Sequence, residues 1–293
     1  VKIHTQKPLR AFTLVELMVA MAITSIIVTL LISITNISLS TWNRSRAEVR
    51  AARQAQAMTE IMARDFEAMV VRAGNEFEWF MARSGGASIG PSSNVSPNSA
   101  EIILFTAATD RYEGGIGTAE DLGGDISAVR YSLDFNDPIN PTATNSPFST
   151  FVLSRRLINP RETFDDLLGR ENLETAFSTL PVPTTEESQA FFVCENIYQF
   201  SLTIHFDSEG SNASVTLLQE SPGSLLRVFG NRVELTPEDS SISRGSRITA
   251  VEISITVLSD NAINALRGNA TIPREFITEN SFHYSKLIEV PRP

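Results

Sequence analysis

The chain is poor in the residues that do chemistry. It has one cysteine, Cys194, and three histidines, His4, His205 and His283. One cysteine cannot close an intrachain disulfide, so the redox compartment stays undecided. The neighbours of Cys194 alternate as in a strand, and it reads as a small buried hydrophobe. The histidines are far apart in sequence and have no metal-ligand spacing. There is no Walker-type phosphate loop, no G-x-S-x-G and no H-E-x-x-H. Nothing here marks an enzyme, and no cofactor is expected. Positive charge is also in short supply. Twenty-four Lys and Arg against 34 Asp and Glu leave a net charge of -10. That balance argues against a nucleic-acid partner, because phosphate binding needs a basic face.

Two further absences are local. Neither Gly nor Pro occurs between Pro8 and Gly74. With the main helix breakers gone, the spacing predicts one helix over residues 12–73, with Gly74 as its C-cap. No charge occurs between Glu16 and Arg44. Residues 17–39 are dominated by Leu, Ile, Val, Met and Ala, and about 20 such residues span a bilayer as a helix. A cleaved secretory signal has an apolar core of only about 7–15 residues before a small-residue site. This run is longer, and nothing like A-x-A closes it. Lys2, Lys7 and Arg10 form a basic leader, and basic residues stay cytoplasmic. A plain signal anchor accounts for the leader and the length. It does not account for Glu16, since an acid in a spanning helix costs on the order of 2.5–3.5 kcal/mol. Such a residue needs a partner. Cleavage before Phe12 would create one, an amine.

Ala11-Phe12-Thr13-Leu14-Val15-Glu16-Leu17 resembles the class III signal of type IV prepilins and type II secretion pseudopilins. The resemblance implies cleavage between Ala11 and Phe12 by prepilin peptidase and N-methylation of Phe12. It also implies a salt bridge from Glu16 to the Phe12 amine of a neighbouring subunit during assembly. Ala11 departs from the glycine usual before the cut. The implied setting is the bacterial inner membrane, crossed once, with the leader cytoplasmic and the head periplasmic. The implied partners are membrane lipid, prepilin peptidase, the inner-membrane assembly platform and other pilin or pseudopilin subunits.

Beyond the apolar run, Ala47, Ala51, Ala55, Met58, Met62, Phe66, Met69 and Ala73 recur at steps of 3 or 4, one face of a helix. Arg53, Glu60, Arg64 and Glu67 fall opposite. After a Gly/Ser/Asn/Pro loop at 84–99 the period changes to 2. Strands are expected at 101–106, 126–135, 150–157, 198–206, 213–218 and 247–258, and within 226–235 around a Gly230-Asn231 turn. A short helix is expected within 162–177, and another over 261–266 capped by Asp260. His205 falls on the polar side of its strand and reads as solvated. The acids Glu113, Glu120, Asp121 and Asp125 offer oxygens suited to calcium, but they lack the fixed spacing of a calcium loop, and no metal is expected. The sequons at Asn94, Asn212 and Asn269 read as coincidental.

The fold expected is α+β and pilin-like, a long N-terminal helix packed on a mainly antiparallel head. The divisions are a leader at 1–11, a transmembrane and assembly half-helix at 12–42, an amphipathic half at 43–74, and the head at 75–293. The head resembles the largest minor pseudopilins, the J-type of type II secretion and the W-type of type IV pili. That likeness rests on Val129-Arg130-Tyr131-x-Leu133, Leu153-x-Arg155-Arg156, Asn196-Ile197 and the segment from Ile248 to Val257. The last segment also resembles the pilin-like C protein of the Verru_Chthon cassette. A minor subunit at a fibre tip is implied. Two other readings stay open. One is a pilin-anchored adhesin or DNA-uptake module, if a basic patch survives around Arg155, Arg156 and Arg161. The other is a single-pass anchored domain of different function.

Overall fold

A computed structural model describes residues 13–84, 90, 100–107, 126–141, 146–208, 211–217, 223–238, 242–243, 245–268 and 272–291. The chain divides into two compact units, Val1–Val49 and Arg50–Pro293. Helix α1 (Leu14–Glu67) contributes to both. In the first unit its side chains are exposed, apart from a half-buried Ala47. Large apolar side chains from Leu14 to Trp42 are more than two-fifths exposed. Apolar side chains in that number are stable on the surface only when the surroundings are themselves apolar. Among the described residues α1 is the one helix long and apolar enough to cross a membrane.

The second unit holds the rest of α1 and two antiparallel sheets. A seven-stranded sheet runs in the order β5-β4-β3-β2-β1-β8-β9. Its strands are β1 (Glu78–Ser84), β2 (Ala100–Thr106), β3 (Ser127–Asn136), β4 (Thr150–Ile158), β5 (Phe192–Glu195), β8 (Leu225–Phe229) and β9 (Val233–Thr236). A four-stranded sheet runs β11-β10-β6-β7, from β6 (Ile197–Ser208), β7 (Ser211–Leu217), β10 (Arg247–Leu258) and β11 (Ser281–Glu289). The α+β class follows from these elements, and every strand pairing is antiparallel.

Periodicity explains most of this. On β10, Val251, Ile253, Ile255 and Val257 are fully buried while the residues between them are half-exposed. On β6, Phe200, Leu202, Ile204 and Phe206 are likewise buried, with Thr203 and His205 half-buried between them. Ala51, Ala55, Met58, Met62 and Phe66 bury the expected face of α1 in the same cluster as both sheets. Each large apolar side chain so buried stabilises the fold by about 1.5–3 kcal/mol. Arg53, Glu60, Arg64 and Glu67 are exposed, as the helical spacing requires.

The helix is shorter than expected. It stops at Glu67, and Gly74 is not its cap. Sheet hydrogen bonds terminate it. Val70 N–H donates to Phe105 O at 2.8 Å, Ala107 N–H donates to Ala68 O at 2.8 Å, and Met69 bridges Thr106. The amphipathic half placed at 43–74 is therefore helical only to Glu67, and Ala73 is exposed. Gly74 has φ +81° and its N–H reaches Gly230 O at 2.7 Å. At Gly230 a Cβ would lie 2.4 Å from the Asn75 side chain, so the close approach there needs glycine.

Other differences are local. The expected helix within 162–177 is two pieces, a π-helical turn Thr163–Leu167 following α2 (Pro160–Glu162), and α3 (Leu173–Ser178). Helix α4 (Thr185–Ala190) opens on a Thr184–Glu187 capping box. Helix α5 (Asp260–Gly268) begins at Asp260 itself. Ser259 supplies the N-terminal hydroxyl, accepting from Ala262 N–H at 3.3 Å. Asp260 instead meets Arg50 and accepts from Asn196. Helix α6 (Arg274–Glu279) leads into β11.

Cys194 on β5 is buried, in line with the strand reading. Burial pushes its thiol up to about 12, with a smaller push from the Glu195 carboxylate. Burial also drives the Tyr131 phenol well above its usual value, reinforced by the Asp65 charge. Both groups are neutral when protonated, and both fold with raised pKa values. Their contribution to stability is complete below the unfolded values, about 9–10, and is lost as pH rises through the folded ones. The expected outcome is flat stability from pH 7 to about 9 and a steep loss above it. Iodoacetamide should label Cys194 slowly at pH 8 and rapidly once denaturant is added. Equal labelling with and without denaturant would contradict the burial.

Candidate functional site

Thr13 opens α1 and fixes the geometry of Glu16. Thr13 N–H and the Thr13 hydroxyl both donate to Glu16 Oε2, at 3.0 and 2.9 Å. Glu16 N–H donates back to Thr13 Oγ1 at 3.3 Å. This reciprocal pair is a capping box, which satisfies two of the free N–H groups at a helix start. The positive end of the helix dipole favours a carboxylate at that place. The signal was present in the sequence as Thr13-x-x-Glu16, but the reading of Glu16 as a charge in search of an amine passed over it. Glu16 Oε1 makes no hydrogen bond to the described residues. The arrangement holds the carboxylate in one orientation and leaves one oxygen for an incoming donor. Ala11 and Phe12, the other two residues of the expected processing and assembly site, lie outside the described residues.

The head carries a second charged site that sequence reasoning missed. Asp65 projects from the buried face of α1, and its side chain is 1% exposed. Arg155 on β4 donates to both its oxygens, each at 2.7 Å, through Nε and Nη2. Tyr131 on β3 donates its hydroxyl to the same carboxylate. Burial is the largest single influence and works against the Arg155 cation, but the hydrogen bonds and charges of Asp65 and Tyr131 together outweigh it and hold the guanidinium above its ordinary value. A similar clamp lies on β1, where Glu78 takes two 2.9 Å bonds from Arg227 and one of 2.6 Å from Leu173 N–H.

The Asp65 clamp takes Arg155 out of the basic patch considered for DNA. Arg155 is spent in the core. Arg156 stacks over Phe177 and Phe191 and donates to Pro181 O at 2.8 Å. Arg161 lies 3.8 Å from Asp165. His205 is half-buried rather than solvated. Its Nε2 is enclosed without a hydrogen-bond partner among the described residues, beside a cleft lined by Asn212, Ser214 and Thr249. The acids Glu113, Glu120, Asp121 and Asp125 lie outside the described residues, as do Asn94 and Asn269. Among the described residues no three His, Cys, Asp or Glu side chains are grouped as metal ligands. Asn196, singled out in the sequence, takes a left-handed conformation (φ +64°) between β5 and β6. Its buried amide accepts from Thr150 Oγ1 at 2.7 Å and donates to Asp260 at 3.3 Å.

Residues 9–32 match the family model described as the prokaryotic N-terminal methylation motif. No curated protein matches the chain. A solved structure of a type IV-like pilin from Thermus thermophilus is similar at 9% identity, over 83% of this chain and 97% of that one, with a TM-score of 0.35. So low a score leaves the head to be described from its own strand order. The motif and the apolar helix fit a single-pass, membrane-anchored protein with a pilin-like N-terminus. At its N-terminus the chain is type IV pilin-like, and a motif of this kind implies processing as a prepilin and assembly into a fibre.

Proposed function

We propose that the chain is a minor pilin or pseudopilin that nucleates or caps a short fibre and recruits other minor subunits or cargo there. In this reading prepilin peptidase cuts between Ala11 and Phe12 on the cytoplasmic face. Phe12 is then methylated, and the head stands in the periplasm. The assembly platform of the inner membrane takes up the subunit. The observation that carries the reading is Glu16, a carboxylate held at the head of a membrane-length helix with one oxygen unbonded to the described residues. An amine on a neighbouring subunit is its natural complement in a low-dielectric setting. The size of the second unit supports a minor role, because so large a head packs poorly at every position of a fibre. The role is that of a structural subunit rather than an enzyme.

N-terminal mass analysis of the mature protein tests processing. The expected product begins at Phe12 and is one methyl group heavier than the unmodified peptide. A chain that keeps its leader in a host with active prepilin peptidase would leave only an anchored domain.

A further inference from the structure

His205 of β6 and Ser214 of β7 stand opposite each other across the four-stranded sheet. On the other side of His205 the ladder with β10 is irregular. Ile248 pairs with Phe206 and Ala250 with His205, so Thr249 is an extra residue, a β-bulge. Ile248 and Val251 are buried, whereas Thr249 is exposed and Ala250 half-buried. The bulge thus turns two successive residues away from the core, and the Thr249 hydroxyl donates to His205 O at 3.2 Å. The result is a cleft of about 290 Å³, near the lower end of small-molecule sites. His205, Asn212, Ser214 and Thr249 line it together with Phe206 and Ala213. His205 Nε2 is enclosed and has no hydrogen-bond partner among the described residues. A ring nitrogen left in that state costs free energy that a ligand hydroxyl can recover.

We propose that this cleft binds one unit of a neutral carbohydrate through the side chains of His205, Asn212, Ser214 and Thr249. Charge selects the ligand class. Among the described residues no Asp, Glu, Lys or Arg lines the cleft, so nothing there offsets the desolvation of an ion. The polar lining gives an apolar ligand equally little. A sugar hydroxyl both donates and accepts, and so do the Asn212 amide, the Ser214 hydroxyl and a neutral imidazole. The Thr249 hydroxyl already donates to His205 O and keeps its acceptor role. The position suits an external ligand. Asn196, just before β6, donates to Asp260, which meets Arg50, the first residue of the second unit. His205 lies nine residues further on, about 30 Å along the strand. The cleft therefore opens at the end of the sheet away from the Arg50 contact. It belongs to the second unit alone and does not depend on cleavage or fibre assembly.

The test follows the histidine rings of the full chain by NMR, with histidine nitrogen isotopically labelled and a detergent that has no sugar headgroup. Only three histidines contribute signals, and His205→Gln identifies that of His205. Glucose, galactose, mannose and N-acetylglucosamine are the probes. At least one should move the His205 ring resonances saturably at millimolar concentration and leave those of His4 and His283 in place. Asn212→Ala and Ser214→Ala replace exposed side chains, which the fold tolerates. Each should raise the midpoint by about threefold to tenfold, and Ser285→Ala on β11 should leave it unchanged. Silence with all four sugars, equal movement of the three histidines, or a midpoint indifferent to both Asn212→Ala and Ser214→Ala would each overturn the proposal. Movement of His205 by tetraglycine or inorganic phosphate but by no sugar would overturn it in favour of a peptide or an anion. Processing does not enter the readout, so failure of the fibre reading is separable from failure here.

Discussion

Asp65→Ala is expected to destabilise the second unit by about 3–5 kcal/mol, the usual cost of removing one partner of a buried ion pair. The loss is large for its size because three groups depend on one carboxylate. Without it the Arg155 guanidinium keeps its charge, with its side chain only 10% exposed, and has no anion to meet. The Tyr131 hydroxyl loses its acceptor too. Domain stabilities of about 5–15 kcal/mol make this about a fifth or more of the whole. The melting temperature should fall by about 10 °C. Thermal melts of the detergent-solubilised full chain, followed by fluorescence of the buried Trp79 on β1, measure it. The charge and the shape are separable. Asp65→Asn keeps an acceptor for Tyr131 and should lose less. Joint replacement, Asp65→Leu with Arg155→Met, removes both charges and should recover much of the stability. An Asp65→Ala chain that melts with the wild type would show that the clamp contributes nothing.

The same residue shows where the sequence stops being legible. Asp65 sits between Arg64 and Phe66, and on a helix that otherwise alternates cleanly an acid at that place reads as the edge of the solvated face. Its partners are about 66 and 90 residues away. Only the pairing of β3 with β4 brings Tyr131 and Arg155 opposite each other. Long-range charge pairs leave no local period, which is also why Arg155 and Arg156 looked like a surface patch. The four-stranded sheet was legible on β6 and β10 because one face is buried and the other is wet, so alternation survives. Strand β1 was not. Trp79, Phe80, Met81 and Ala82 are all buried, and burial on both faces erases the period of 2. Strand β11 was missed for another reason. It is an edge strand on which Leu287 is exposed and Lys286 half-buried, against the alternation. The end of α1 was misplaced because glycine was taken as the stop, whereas strand β2 captures the backbone first. At the N-terminus the apolar run and the acid were plain in the sequence, but the Thr13–Glu16 capping box makes the role of that acid a sharper question.

Two explanations of Glu16 now compete, and they predict different ranks for two substitutions. If Glu16 only completes the helix cap, losing either half of the box should be similar, about 1 kcal/mol for a cap. Thr13→Ala and Glu16→Ala would then both leave fibre incorporation nearly normal. If Glu16 also meets the amine of a neighbouring Phe12, Glu16→Ala strands an ammonium in a low-dielectric contact. At about 3–5 kcal/mol for the unpaired charge, subunit association should weaken by about a hundredfold or more. Thr13→Ala, which leaves the carboxylate in place but less firmly held, should weaken it far less. The expected result is normal membrane insertion for both variants, near-complete exclusion of Glu16→Ala from assembled fibres, and a modest decrease for Thr13→Ala. Co-expression with wild-type neighbouring subunits, followed by quantification of each variant in sheared fibres against its membrane pool, gives the ranking. Glu16→Gln refines it. The neutral amide keeps an acceptor for the Thr13 hydroxyl and backbone N–H, so the cap survives, but it offers no charge to an ammonium. Exclusion of Glu16→Gln alongside Glu16→Ala assigns the effect to charge. Normal incorporation of both leaves Glu16 with no role beyond starting its own helix.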